Sequence, residues 1–196
     1  DGEVSFTVPD YVKEVIAEIT HQARRSPDIG QRSGASVRIS IANMETVVSN
    51  AVRRAVKLNE KLAVPRISDL PYIIASTTGK LEMEGFEDKN EQKIINDLIR
   101  RATLTVFNRY FKLDELENIV RHFNGGFSIE TSGNMSAKSY VRYMKEIPGL
   151  IKVVKKMTDT ETPEILASIM EFIFEGLHLN KRLNKTKVEG KTVYGN

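Results

Sequence analysis

Apolar positions recur along most of this chain at steps of three and four residues, the spacing that lines one face of an α-helix. Pro9 suits a first helical turn, and Tyr11, Val12, Val15, Ile16, Ile19 and Ala23 follow as a single stripe. That helix is expected to stop near Ser26, because the residue before Pro27 is pushed out of helical geometry. Residues 27–35 are rich in turn formers and read as a loop. Ser36 can then N-cap a second helix carrying Ile41, Met44, Val48, Ala51, Ala55 and Leu58 at regular spacing. A short third helix is expected from Ser68 or Asp69, after Val64-Pro65.

The longest helical pattern runs from Asn90 to Phe111, with Ile94, Ile95, Leu98, Ala102 and Val106 facing inwards. Asp114 and Glu117 have the spacing of a capping box, and Gly125-Gly126 ends the short helix that it opens. Ser136 caps a further helix that ends at Pro148-Gly149. Thr162-Pro163-Glu164 starts a last one, running towards Leu183. Strands near 127–131 or 188–194 are permitted but poorly marked. The expectation is an all-α fold in two units, residues 1–78 and 86–196, joined by a linker at 79–85 around Gly79 and Gly85, the second unit ending in a basic tail.

Composition removes several classes of chemistry. With 40% hydrophobic and 28% charged residues, the chain is globular rather than disordered. It has no Cys, which rules out thiol nucleophiles, thiolate metal sites and iron–sulfur clusters. No apolar run approaches the roughly 20 residues of a membrane span, and the polar, acidic first residues do not form a signal peptide. The missing initiator Met suggests a piece cut from something longer.

The formal charge of +3 is divided unevenly. Residues 1–20 sum to −4, 21–66 to +6, 67–180 to −3 and 181–196 to +4. Arginine dominates the first basic segment, and its planar fork favours bidentate contact with phosphate or carboxylate.

Familiar catalytic motifs are missing. There is no phosphate-binding glycine loop with its Lys-Ser/Thr pair, no HExxH and no GxSxG. His21, His122 and His178 lie on separate elements without ligand spacing. Phe107, Tyr110, Phe111, Phe172 and Phe174 have the spacing of core residues, not of a stacking platform.

One stretch combines features that suit an anion. Gly34-Ala-Ser-Val-Arg38 brings a glycine loop and then an arginine into the first turn of an amphipathic helix, where free backbone N–H groups and a guanidinium can meet a phosphate. On spacing alone, a simple Ser36 cap with Arg38 solvated or paired to an acid is the commoner arrangement.

Residues from about Val8 to Pro71 nevertheless resemble the C-terminal helical lid of AAA+ ATPases of the MoxR and magnesium-chelatase branch. The likeness rests on Ser26-Pro-Asp28, on Gly34 to Arg38, on the alanine-bearing helix to Leu58 and on Val64-Pro-Arg-Ile-Ser-Asp69. Gln31-Arg-Ser-Gly34, Glu175 to Lys185 and Tyr194-Gly195 extend it to magnesium-chelatase-like proteins with a helical extension after the lid.

The resemblance implies an all-α lid bundle followed by a second helical unit, with Arg38 as the sensor-2 residue acting catalytically on nucleotide phosphates and Arg32 as a second nucleotide contact. ATP and Mg2+ would be bound mainly by an upstream AAA+ core that this stretch lacks, so the stretch by itself is expected to be inactive although the parent protein hydrolyses ATP. The implied partners are that core, neighbouring subunits of a ring oligomer and a protein with a von Willebrand A-type domain, in the cytoplasm. Neither nucleic acid nor membrane is expected. The competing reading is a helical nucleic-acid-binding or protein-interaction module with no nucleotide role, using the two basic segments.

Overall fold

The computed structural model describes residues 3–30, 36–81 and 91–196. Among these the chain forms α1 (Asp10–Ala23), α2 (Val37–Leu58), α3 (Ile73–Thr77), α4 (Glu91–Tyr110), α5 (Glu117–Asn124), α6 (Ala137–Glu146), α7 (Leu150–Val154) and α8 (Pro163–Leu179). Short 3-10 segments at Ile67–Tyr72 and Leu113–Leu116 lead into α3 and α5. Strands are β1 (Ser5–Phe6), β2 (Leu62–Ala63), β3 (Ile129–Thr131), β4 (Asn184–Val188) and β5 (Lys191–Gly195).

The all-α expectation is therefore corrected: the fold is mixed, mainly helical with two small sheets. β1 and β2 pair in parallel, Ser5 with Leu62 and Phe6 with Ala63. The second sheet is antiparallel in the order β3-β5-β4. Its hairpin turns at Glu189-Gly190, both at positive φ (49° and 77°), the two-residue geometry whose twist matches the strands it joins. Lysines alternating with Thr and Val hide this hairpin, since no apolar period of two marks it. The +4 tail is thus largely sheet.

α8 organises the core. Every residue from Leu166 to Leu177 is buried, as expected of a helix that is apolar nearly all round. Gly176 permits its closest approach to α4, because a Cβ there would fall 2.0 Å from the Phe107 ring. Phe107 and Phe172 meet edge to face, and Phe172 stacks on Tyr11 of α1 at 4.2 Å. Tyr11 also hydrogen-bonds Ser168 of α8 through its hydroxyl. One hydrophobic cluster runs from Tyr11 to Tyr194 through both expected units. The expected linker at 79–85 falls partly on residues 82–90, which lie outside the described set.

The buried face of α2 is rotated from the one its apolar spacing suggests. Ile39, Asn43, Val47, Ala51, Arg54 and Ala55 point inwards, whereas Ile41 is 54% exposed. Two polar residues sit on the inner face because each has partners there. The Asn43 side-chain oxygen accepts hydrogen bonds from Ser76 at 2.8 Å and Thr77 at 2.9 Å, and Arg54 pairs with Asp69. The cap before α5 also differs from expectation. Glu115, rather than Glu117, turns back to a backbone N–H, that of Lys112.

Candidate functional site

Arg38 stands in the first turn of α2, where the Ser36 hydroxyl accepts its backbone N–H at 3.1 Å and so caps the helix. Its side chain is exposed and forms no ion pair with any described residue. Val37 and Ile41 beside it are also exposed, at 62% and 54%. Arg32, the second expected nucleotide contact, lies outside the described residues, as do Gln31, Ser33, Gly34 and Ala35 of the loop before it.

The other end of α2 is built differently. Arg54 is 6% exposed, donates to Asp69 at 2.5 Å and to the Val64 carbonyl at 2.6 Å, and so ties α2 to the 3-10 turn. Burial works to lower its pKa, but the adjacent Asp69 carboxylate overrides that and raises it, so the guanidinium stays charged. Asp69 in turn accepts the backbone N–H of Arg66 at 2.7 Å and the Asn50 amide. Arg66, 1% exposed, donates to the Met135 carbonyl at 2.9 Å and lies 4.9 Å over the Tyr140 ring.

The Val64-Pro-Arg-Ile-Ser-Asp69 segment is therefore a junction. α8 grips it from the other side: Ser168 donates to the Pro65 carbonyl at 2.5 Å, and Glu171 accepts the Ser68 N–H at 2.9 Å. Glu171 also takes the Tyr140 hydroxyl at 2.6 Å, and Glu175, one turn on, takes the Tyr194 hydroxyl and Lys185, each at 2.6 Å. Burial first, and then the facing carboxylates, push both tyrosine pKa values well above the ordinary range, so these hydroxyls act as hydrogen-bond donors.

Above this junction opens a cleft of about 840 Å³. Asn50, Arg53 and Lys57 of α2 form one wall. One face of the second sheet forms another, since Lys185 is opposite Tyr194, and Lys187 and Thr131 are opposite Thr192. Arg100 of α4 and Tyr72 complete the rim, and Asp69, Glu171 and Glu175 form the floor. Arg38 does not line this cleft.

The three histidines find separate neighbours. His21 is 3.9 Å from Glu18, His122 packs on Phe127, and Nδ1 of His178 meets the Leu183 carbonyl at 3.1 Å. Among the described residues no group of three or more His, Asp or Glu side chains is placed to hold a metal ion, and no helix is long and apolar enough to cross a membrane. The five expected core aromatics are in the core or packed against it.

Sequence reasoning missed the junction and the cleft. A signal for the first was present: Arg54 lies three residues after Ala51 on the same helical face, and Glu171 and Glu175 interrupt an otherwise apolar helix one turn apart. Comparison of the chain with protein-family models, with curated proteins and with solved structures found no match.

Proposed function

We propose that this chain is the C-terminal part of a magnesium-chelatase-like AAA+ ATPase, a lid that senses bound ATP through Arg38, followed by an extension that passes the change on to a partner or substrate protein. One observation carries the reading. The other arginines of α2 are engaged, Arg54 with Asp69 and Arg53 with Asn50 and the Tyr72 ring, while Arg38 is exposed at a capped helix N-terminus with no carboxylate partner among the described residues. An exposed arginine without a carboxylate partner keeps its guanidinium available to an anion. ATP supplies the phosphate charge that a guanidinium in this position can neutralise.

The work of this chain is then mechanical. α2 is continuous from Arg38 to Lys57, so a pull on its first turn moves its far end, where Arg54 is bonded to the junction and the junction to α8. The metal that accompanies ATP is left to residues of the upstream core, together with the chemistry itself. Ring neighbours and a von Willebrand A-type partner, in the cytoplasm, belong to the same reading. ATP turnover by the protein joined to its core tests it: Arg38→Ala is expected to impair turnover without changing thermal stability.

A further inference from the structure

The two basic segments of the sequence, one in residues 21–66 and the other in the tail, stand far apart along the chain, and nothing in the sequence shows whether they meet. The fold brings them to the same place. Arg53 and Lys57 from the first segment face Lys185, Lys187 and Lys191 from the second across the cleft, and Arg100 joins them from α4.

The carboxylates of the cleft are already committed. Asp69 is held by Arg54, Glu171 by the Tyr140 hydroxyl and the Ser68 N–H, and Glu175 by Lys185 and Tyr194. Seven cationic side chains against three carboxylates leave an excess of four positive charges in the lining. Asp97 and Glu130, which do not line the cleft, pair with Arg100 at 4.0 Å and Lys191 at 2.8 Å; counting them still leaves two. Arg53, Lys57 and Lys187 have no carboxylate partner among the described residues. Lys57 is held in place by the Asn134 side-chain oxygen at 2.7 Å, and Arg53 by Asn50.

The rim adds a second kind of contact. Tyr72 is 50% exposed although it is a large aromatic, and the Arg53 guanidinium lies over its ring, 5.3 Å from the centroid. A flat ring beside an arginine offers a stacking surface that a nucleobase uses and a carboxylate side chain does not. Asn50, Asn96, Ser132 and Asn134 supply neutral hydrogen-bonding groups along the lining.

We propose that this cleft binds a segment of single-stranded nucleic acid, its phosphates between the α2 wall and the lysines of the sheet and a base stacked on Tyr72. The site is separate from Arg38 and does not rest on the nucleotide-sensing reading. The test is fluorescence anisotropy of the 196-residue chain with a labelled oligothymidylate of about twelve nucleotides, within the usual site sizes for such strands.

Binding is expected at low salt, with log K falling by about two units per tenfold increase in salt, since three uncommitted cations at about 0.7 each set the slope. Lys57→Glu with Lys187→Glu should weaken binding by at least about tenfold, and Tyr72→Ala by about fivefold or more. Arg142→Glu with Lys145→Glu on α6, the same change in charge away from the cleft, should leave it within about twofold. All of these are exposed side chains, and thermal melts of the variants check that each is folded. Absence of binding at low salt overturns the proposal. So does an equal loss from the α6 pair, which would mean general charge attraction. Displacement by poly-glutamate as effective as that by unlabelled oligonucleotide also overturns it, in favour of an acidic peptide.

Discussion

Glu171 reaches from the middle of α8 to the backbone of Ser68, accepting its N–H at 2.9 Å with one carboxylate oxygen and the Tyr140 hydroxyl at 2.6 Å with the other. A single side chain on the last helix thereby fixes the junction loop and α6 together. Removing it leaves two donors without partners, the Tyr140 hydroxyl buried and the Ser68 N–H half-buried. Glu171→Ala is expected to lower unfolding free energy by about 2–6 kcal/mol, at roughly 1–3 kcal/mol per orphaned group. Glu171→Gln, which keeps an acceptor, should cost less than half of that. Urea midpoints of the two variants check this; equal losses would mean that packing, not hydrogen bonding, holds the loop.

The Arg54–Asp69 pair behaves as a unit. Asp69→Asn leaves a guanidinium buried without its counter-charge and is expected to cost about 3–5 kcal/mol. Adding Arg54→Met to that variant should recover part of the loss, because the orphaned charge is then gone. A double-mutant cycle in urea measures the coupling, and strictly additive losses would contradict a paired charge at this position.

Gly176 tests the packing of α8 on α4. With a Cβ 2.0 Å from the Phe107 ring, Gly176→Ala forces the helices apart and is expected to destabilise by at least about 1–3 kcal/mol, although alanine is the better helix former. Phe107→Leu in the same chain should restore part of the loss by making room. A stabilised Gly176→Ala variant would contradict the close approach.

Glu18 sets an acid limit to stability. Burial alone would raise its pKa, but hydrogen bonds from Gln22 at 3.0 Å and Arg109 at 2.7 Å hold it below the ordinary 4.5. A carboxyl whose folded pKa is depressed adds stability above its unfolded pKa and loses it as pH falls through the folded value. The stability gap between the protein and Glu18→Gln should accordingly be full at neutral pH and shrink as pH falls below 4.5. Melting temperatures taken across that range check it, and a gap that stays constant into acid would contradict the ion pair.

These predictions rest largely on contacts between elements, which is where the sequence was least legible. α1, α4 and α8 are readable because their apolar stripes are long and their ends carry Pro, Gly or cap residues, and the structure has them within a few residues of expectation. α2 is legible as a helix but not in its orientation, since Asn43 and Arg54 face inwards to partners that lie far along the chain. The strands are shorter still in signal. β1 consists of two residues paired with Leu62 and Ala63, and β4 alternates Lys with Thr, so neither carries an apolar period. The cleft was invisible for the same reason: its walls come from residues as far apart along the chain as Asn50 and Tyr194, and only folding brings Lys57 and Lys187 to one cleft. Arg38, by contrast, was marked by its helix entry together with the family resemblance around it, not by spacing alone.

The central proposal is that Arg38 answers to nucleotide rather than to the fold, and steady-state ATP turnover by the chain joined to the AAA+ core proposed for it measures this most directly. Arg38→Ala should lower kcat by at least about tenfold, as loss of one charge-stabilising donor does, while Arg142→Ala on α6 leaves kcat unchanged and both variants melt with the parent. Undiminished turnover in Arg38→Ala would contradict the account.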